Sequence, residues 1–273
     1  MGRFDGVLIC TDLDGTLYNS ERRVSRENRE AIDYFKREGG YFTFITGRMP
    51  YYATDAYRAA SPNVPFGCVN GGGVYDGARG EYVFRYEMSR AALPLAEFAV
   101  EGFPEVGIQV ATFDATYFAR ENEVMRLFRE ITGIPNLTRG LREVDEPIAK
   151  IILGLPDEAA LLAMQRAIAA HPAAKDFTVV RSEEWFIEIL PREVHKGLAL
   201  GKLIGHLGVD PRKTVAIGDY NNDVGMLRAA GLGVAVANAC PAAIEAADTV
   251  TVSNDEHAVA RVIYDLDGGR LSL

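Results

Sequence analysis

Gly6-Val7-Leu8-Ile9-Cys10-Thr11-Asp12-Leu13-Asp14-Gly15-Thr16 is the stretch on which the fold turns. Residues 6–12 form a continuous apolar run that ends in polar groups, the pattern of a strand buried on both faces of a parallel sheet. The chain on either side repeats this unit. A helix is expected from Ser25 to Glu38, with Ser25 as its cap and Gly39-Gly40 as its stop. Tyr41 to Ile45 reads as a second buried strand that ends at Thr46-Gly47-Arg48, and Phe66 to Val69 as a third that breaks into Asn70-Gly71-Gly72-Gly73. Near the other end of the chain, Thr214 to Ile217 runs into Gly218-Asp219, and a helix is expected from Asn221 to Ala230. Strand Gly233–Val236, helix Pro241–Ala247, strand Thr249–Val252 and helix Glu256–Leu266 then follow. Strands alternating with helices predict a parallel sheet covered on both faces.

The middle of the chain has another rhythm. Ile108 to Phe113 and Thr116 to Ala119 flank Asp114-Ala115 as in a hairpin. Val124, Leu127, Phe128 and Ile131 then follow the i, i+3, i+4, i+7 spacing of an amphipathic helix. A strand at Ile148–Leu155, a helix face of Leu161, Met164 and Ile168, and a second hairpin, Phe177–Val180 with Trp185–Leu190, complete an antiparallel α+β unit. The expected organisation is a parallel-sheet core of residues 1–84 and 192–273, interrupted by an inserted α+β domain of residues 85–191.

Composition sets outer limits. With 273 residues, 48% of them hydrophobic and 25% charged, the chain can bury a sizeable core. A net charge of −9 argues against nucleic acid or an anionic membrane as main partner. Cys10, Cys68 and Cys240 are odd in number and widely spaced, which suits buried free thiols in a reducing compartment. The run Val7–Cys10 is too short for a signal-peptide core or a membrane span, so a cytoplasmic location is expected. Oligomeric state is not legible.

Ligands of open parallel sheets bind beyond the carboxyl ends of the strands. The residues expected there are Asp12, Asp14, Gly15 and Thr16; Thr46, Gly47 and Arg48; and Gly218, Asp219, Asn222 and Asp223. Lys196 follows the inserted unit. Asp12, Asp14, Asp219 and Asp223 brought together would repel one another unless a hard divalent cation sat between them. An all-oxygen set with room for water and phosphate suits Mg²⁺. One carboxylate can act as nucleophile and a second as acid and base. Thr46, Lys196 and backbone N–H groups near Gly15 and Gly47 can bind a phosphate. A small anionic substrate is therefore compatible with the acidic chain, because a cation inverts the local field.

These motifs in this order resemble the haloacid dehalogenase superfamily: DLDGTL at 12–17, Thr46-Gly47 after a hydrophobic strand, HKGLAL at 195–200 and GDYNND at 218–223. With NGG at 70–72, AVAN at 235–238 and SNDEHAVA at 253–260, the arrangement is similar to the Cof-type branch, whose α+β cap lies between the second and third motifs. The resemblance implies an α/β fold, a Rossmann-like parallel-sheet core with an inserted cap. It also implies a magnesium-dependent phosphatase of small phosphorylated metabolites that works through an aspartyl-phosphate. Carried over residue by residue, Asp12 is the nucleophile and Asp14 the acid/base. Mg²⁺ is held by the Asp12 carboxylate, the Asp14 carbonyl and Asp219, with Asp223 close behind. Thr46 and Lys196 contact phosphate, and Asn222 helps to position it. Two residues depart from the pattern: His195 stands where a small polar residue is usual, and His257 where Gly is frequent.

Other readings are weighed beside this one. Asp14-Gly15 is also a turn signal. Gly197 to Leu203 superficially resembles a nucleotide-binding loop but ends in Leu, not Ser or Thr. A carbon–halogen hydrolase needs neither Asp14 nor a metal. A phosphomutase would use the same residues and return the phosphoryl group to a sugar. Sugar, nucleotide and cofactor phosphates all remain open as substrates.

Overall fold

The computed structural model describes residues 2–273. The chain packs as two compact units, Met1–Arg85 with His195–Leu273, and Tyr86–Val194. In the first unit, β1 (Leu8–Thr11) lies fully buried between two parallel neighbours, which is why its sequence shows no polar alternation. β2 (Tyr41–Phe44) pairs on one side of it and β11 (Thr214–Gly218) on the other, with Leu8 opposite both Tyr41 and Thr214. β12 (Leu232–Ala235) and β13 (Thr249–Val250) extend the sheet to the order β13-β12-β11-β1-β2.

Helix α1 (Arg26–Arg37) starts where the Ser25 side chain accepts from the Asn28 N–H at 3.2 Å. It packs against α9 (Ala258–Asp267), joined by the buried Asn28 side chain, whose oxygen accepts from the Ala260 N–H at 2.9 Å. α6 (Lys196–Leu207), α7 (Val224–Ala229) and α8 (Pro241–Ala246) contribute Ala199, Leu200, Leu203, Met226, Leu227 and Ala243 to one core cluster with Leu8, Cys10 and Ala216. α2 (Thr54–Ala60) follows β2.

Five expectations need correction. The strand expected to reach Val69 stops at Cys68 as β3 (Phe66–Cys68), because Val69 and Asn70 both take left-handed backbone, φ 56° and 53°. Gly73–Asp76 and Glu81–Arg85 form a hairpin, β4 and β5, that makes a separate antiparallel sheet with β3. The helix expected from Asn221 begins with a tight turn over Asn221–Asp223 before α7 proper, and the one expected from Glu256 is delayed to Ala258 by His257 at φ 65°. That torsion also explains the departure at position 257, since a left-handed site is where glycine is at ease and His is one of the tolerated substitutes. Finally, Cys10 and Cys68 are buried thiols, whereas Cys240 is half-buried.

The second unit comprises α3 (Leu93–Gly102), β6 (Gly107–Thr112), β7 (Thr116–Arg120), α4 (Glu123–Thr132), β8 (Ile148–Gly154), α5 (Glu158–Ala169), β9 (Phe177–Glu183) and β10 (Phe186–Pro191). Its sheet is antiparallel in the order β7-β6-β8-β10-β9. Ile108, Val110, Ile151, Leu153, Ile187 and Ile189 form a core with Leu95, Ala99, Leu161 and Met164 of α3 and α5. The alternate face of the sheet carries Gln109, Lys150 and Glu188, and Lys150 Nζ bonds Glu188 Oε1 at 2.6 Å out of reach of bulk water. No helix among the described residues is long and apolar enough to cross a membrane.

Candidate active site at the carboxyl ends of the parallel strands

β1, β2 and β11 end side by side, and their ends carry the polar residues that interrupt the apolar runs. Beyond β1 the chain turns sharply: the Leu17 N–H donates to the Asp12 carbonyl at 3.3 Å and the Tyr18 N–H to that of Leu13 at 2.8 Å. Gly15 makes this turn possible with φ 83°, and a Cβ there would meet Asp219 Oδ2 at 2.6 Å. Thr16, fully buried, donates its hydroxyl to Asp219 Oδ1 at 2.7 Å. Asn238 Nδ2 donates to the Gly15 carbonyl at 2.8 Å. The β1 turn is thus tied to the loops after β11 and β12.

Asp12, Asp219 and Asp223 converge, with one carboxylate oxygen of each within 4.8 Å of the others. Lys196, at the first position of α6 and 1% exposed, donates to both Asp12 and Asp223, the latter at 2.6 Å. The other Asp223 oxygen accepts from the backbone N–H groups of Asp219 and Tyr220, both at 2.9 Å. Burial pushes Asp12 well above the usual carboxylate range; Lys196 opposes this, and Asp223 and Asp219 add to it. Asp219 is pushed up to about 6, again chiefly by burial. Lys196 is moved up: burial acts against its charge, but Asp12 and Asp223 outweigh that. Three carboxylates face one ammonium, so the cluster holds more negative charge than its own cation offsets.

Asp14 stands apart from this triad. Its carboxylate accepts from Arg48 Nη2 through both oxygens, at 2.8 and 2.9 Å. Thr46, 2% exposed, has its hydroxyl approached by the Arg48 N–H at 3.3 Å, and its carbonyl accepts from the Asn70 N–H at 3.0 Å. Gly47 lies against Asn70, whose side-chain oxygen a Cβ on Gly47 would meet at 3.0 Å. Asn222 is exposed and donates from Nδ2 to that same Asn70 oxygen at 3.1 Å. His195 turns its imidazole onto the Gly197 and Gly225 backbones, where a Cβ would meet Nδ1 at 3.0 and 2.8 Å. The expected catalytic, phosphate-binding and metal residues all lie in the first unit, just after β1, β2 and β11 or at the start of α6. Asn70 and Thr16 are the participants that sequence reasoning leaves without a role; Arg48, read there as a surface or salt-bridging residue, does form an ion pair, with Asp14. NGG and the left-handed torsion it demands are the available signal for Asn70; for Thr16 there is only adjacency to a motif.

An acidic triad with two buried members and a buried lysine lies at the ends of the parallel strands, and the model of the haloacid dehalogenase-like hydrolases matches residues 9–263. The chain belongs to that family. Among its relatives are two proteins of Bacillus subtilis. Phosphatase YwpJ is 31% identical over 95% of this chain and 99% of its own. The 5-amino-6-(5-phospho-D-ribitylamino)uracil phosphatase YwtE is 31% identical over 96% of this chain and 98% of its own. A solved haloacid dehalogenase-like hydrolase from B. subtilis superposes with a TM-score of 0.79 at 30% identity, covering 95% of this chain and 99% of that one. The chain is accordingly an enzyme of the phosphoric monoester hydrolase kind.

Proposed function

We propose that the protein hydrolyses small phosphorylated metabolites with Mg²⁺ through an aspartyl-phosphate on Asp12. The observation that carries this reading is the convergence of Asp12, Asp219 and Asp223 around the Lys196 ammonium. The donor set fits the metal: the side-chain candidates are all hard carboxylate oxygens, and three of them converge on a single ammonium. Asp12 and Asp219 would hold the ion together with the Asp14 carbonyl, with Asp223 behind them. The ion would supply positive charge to the phosphoryl oxygens.

An Asp12 oxygen attacks phosphorus as the bond from phosphorus to the ester oxygen breaks, and the Asp14 carboxyl passes its proton to that oxygen. Asp14, now a carboxylate, takes a proton from water as the water attacks the acyl phosphate, which frees Asp12 and inorganic phosphate. Lys196 offsets charge on Asp12 and on the phosphoryl group. The Thr46 hydroxyl and the Gly47 backbone donate to the phosphoryl oxygens, and Asn222 steadies that loop through Asn70. Relatives named as phosphatases favour water as the acceptor over a second sugar. The α+β unit acts as the cap that selects the leaving group among sugar, nucleotide and cofactor phosphates.

A phosphomonoester panel assayed with Mg²⁺ and with chelator tests the reading. Asp12→Asn is expected to lower turnover by about 10⁴-fold or more. Chelation should abolish wild-type turnover, and added Mg²⁺ should restore it. Turnover that survives either treatment would sink the mechanism.

A further inference from the structure

Arg48 and Asp14 meet across 34 residues of sequence, from the ends of neighbouring strands β2 and β1. One guanidinium nitrogen, Nη2, touches both Asp14 oxygens. The Arg48 side chain is 32% exposed and that of Asp14 52%, so the pair stands open to solvent at the site. The Arg48 backbone N–H points to the Thr46 hydroxyl, and its guanidinium carbon lies 5.8 Å from the Tyr18 ring centroid. An exposed ion pair of this kind contributes little to stability. Its effect is on direction: Asp14 extends from a turn with two free side-chain torsions, and the guanidinium removes that freedom.

We propose that Arg48 is a positioning residue for Asp14. This rests on the acid/base role given to Asp14 above. The planar guanidinium stays on one carboxyl oxygen while the other oxygen delivers its proton to the departing ester oxygen. In the second half of the cycle the same contact holds Asp14 as it takes a proton from water. The proton count is unchanged by Arg48, which neither gives nor receives one. A lysine carries the same charge on a flexible stem without the rigid planar guanidinium, so it should aim Asp14 less well.

Leaving groups read this out. A p-nitrophenolate departs without a proton, whereas an alkoxide such as that of a hexose phosphate needs one. The experiment measures kcat and KM for p-nitrophenyl phosphate and a hexose phosphate in wild type, Arg48→Gln, Arg48→Lys and Asp14→Asn, with thermal denaturation to verify folding. In Arg48→Gln, kcat on the alkyl ester should fall roughly 10²-fold further than kcat on the aryl ester. Arg48→Lys should lie between Gln and wild type, and Asp14→Asn should show the same bias more strongly. Equal losses on both esters, or a rise confined to KM, would place Arg48 on the phosphate or in the scaffold and overturn the proposal. If Asp14→Asn shows no bias, the acid/base reading itself fails and this inference with it. A bias in Asp14→Asn that is absent from Arg48→Gln overturns this inference alone.

Discussion

Asp219 shows how a single side chain can report on a site. Its carboxyl is pushed up to about 6 by burial, against the Thr16 hydrogen bond that favours its charge. A group whose folded pKa is raised binds more protons folded than unfolded. Its contribution is therefore present below the unfolded value and is lost as pH rises through the folded one. In the metal-free protein, stability should fall between about pH 4 and pH 6 more steeply in wild type than in Asp219→Asn. Urea titrations in EDTA across that range measure the difference, and parallel curves would remove Asp219 from the account. The acids were legible because charged residues ending an apolar run have no other obvious use. Arg48 was legible only as a surface or salt-bridging residue: its partner is 34 residues away, and nothing in an isolated arginine says which carboxylate it will find. The side chain of Asp14 was grouped with the other acids from spacing, yet its contact is with Arg48 and not with the triad.

At the scale of elements, buried strands were readable and exposed ones were not. β1 and β11 announce themselves as apolar runs, while β5 alternates exposed and half-buried residues with no fully buried one, so its hairpin with β4 escaped notice. α3 was missed for the opposite reason: its Leu-, Ala- and Phe-rich sequence has little polar contrast from which to read a face. The left-handed turn after β3 matters more than its size suggests. Gly71 sits at φ 103°, and a Cβ there would meet the His195 carbonyl at 2.0 Å, immediately before Lys196. Gly71→Ala should therefore push the start of α6 away, at a cost of about 2 kcal/mol or more in stability. Lys196 would lose its alignment with Asp12. Denaturant unfolding together with turnover tests this, and an unchanged midpoint would show that the loop yields without strain.

For the whole molecule, the sheet order β13-β12-β11-β1-β2 means that the N-terminal strand depends on residues from the far end of the chain. The Tyr86–Val194 unit has its own core and does not share this dependence. A chain truncated after Lys213 lacks β11, β12 and β13. In limited proteolysis, residues 86–194 should then survive while residues 1–85 are cut; equal resistance of both would show that β1 and β2 hold without β11. The pairing of Leu8 with Thr214 also carries a consequence in time. At ordinary rates of translation, roughly 10–40 s separate the synthesis of these two strands. Throughout that interval Asp12 follows a strand whose only available sheet partner is β2, with neither Asp219 nor Asp223 to meet. The acidic cluster can assemble only after Asp219 and Asp223, in the loop that follows β11, have left the ribosome.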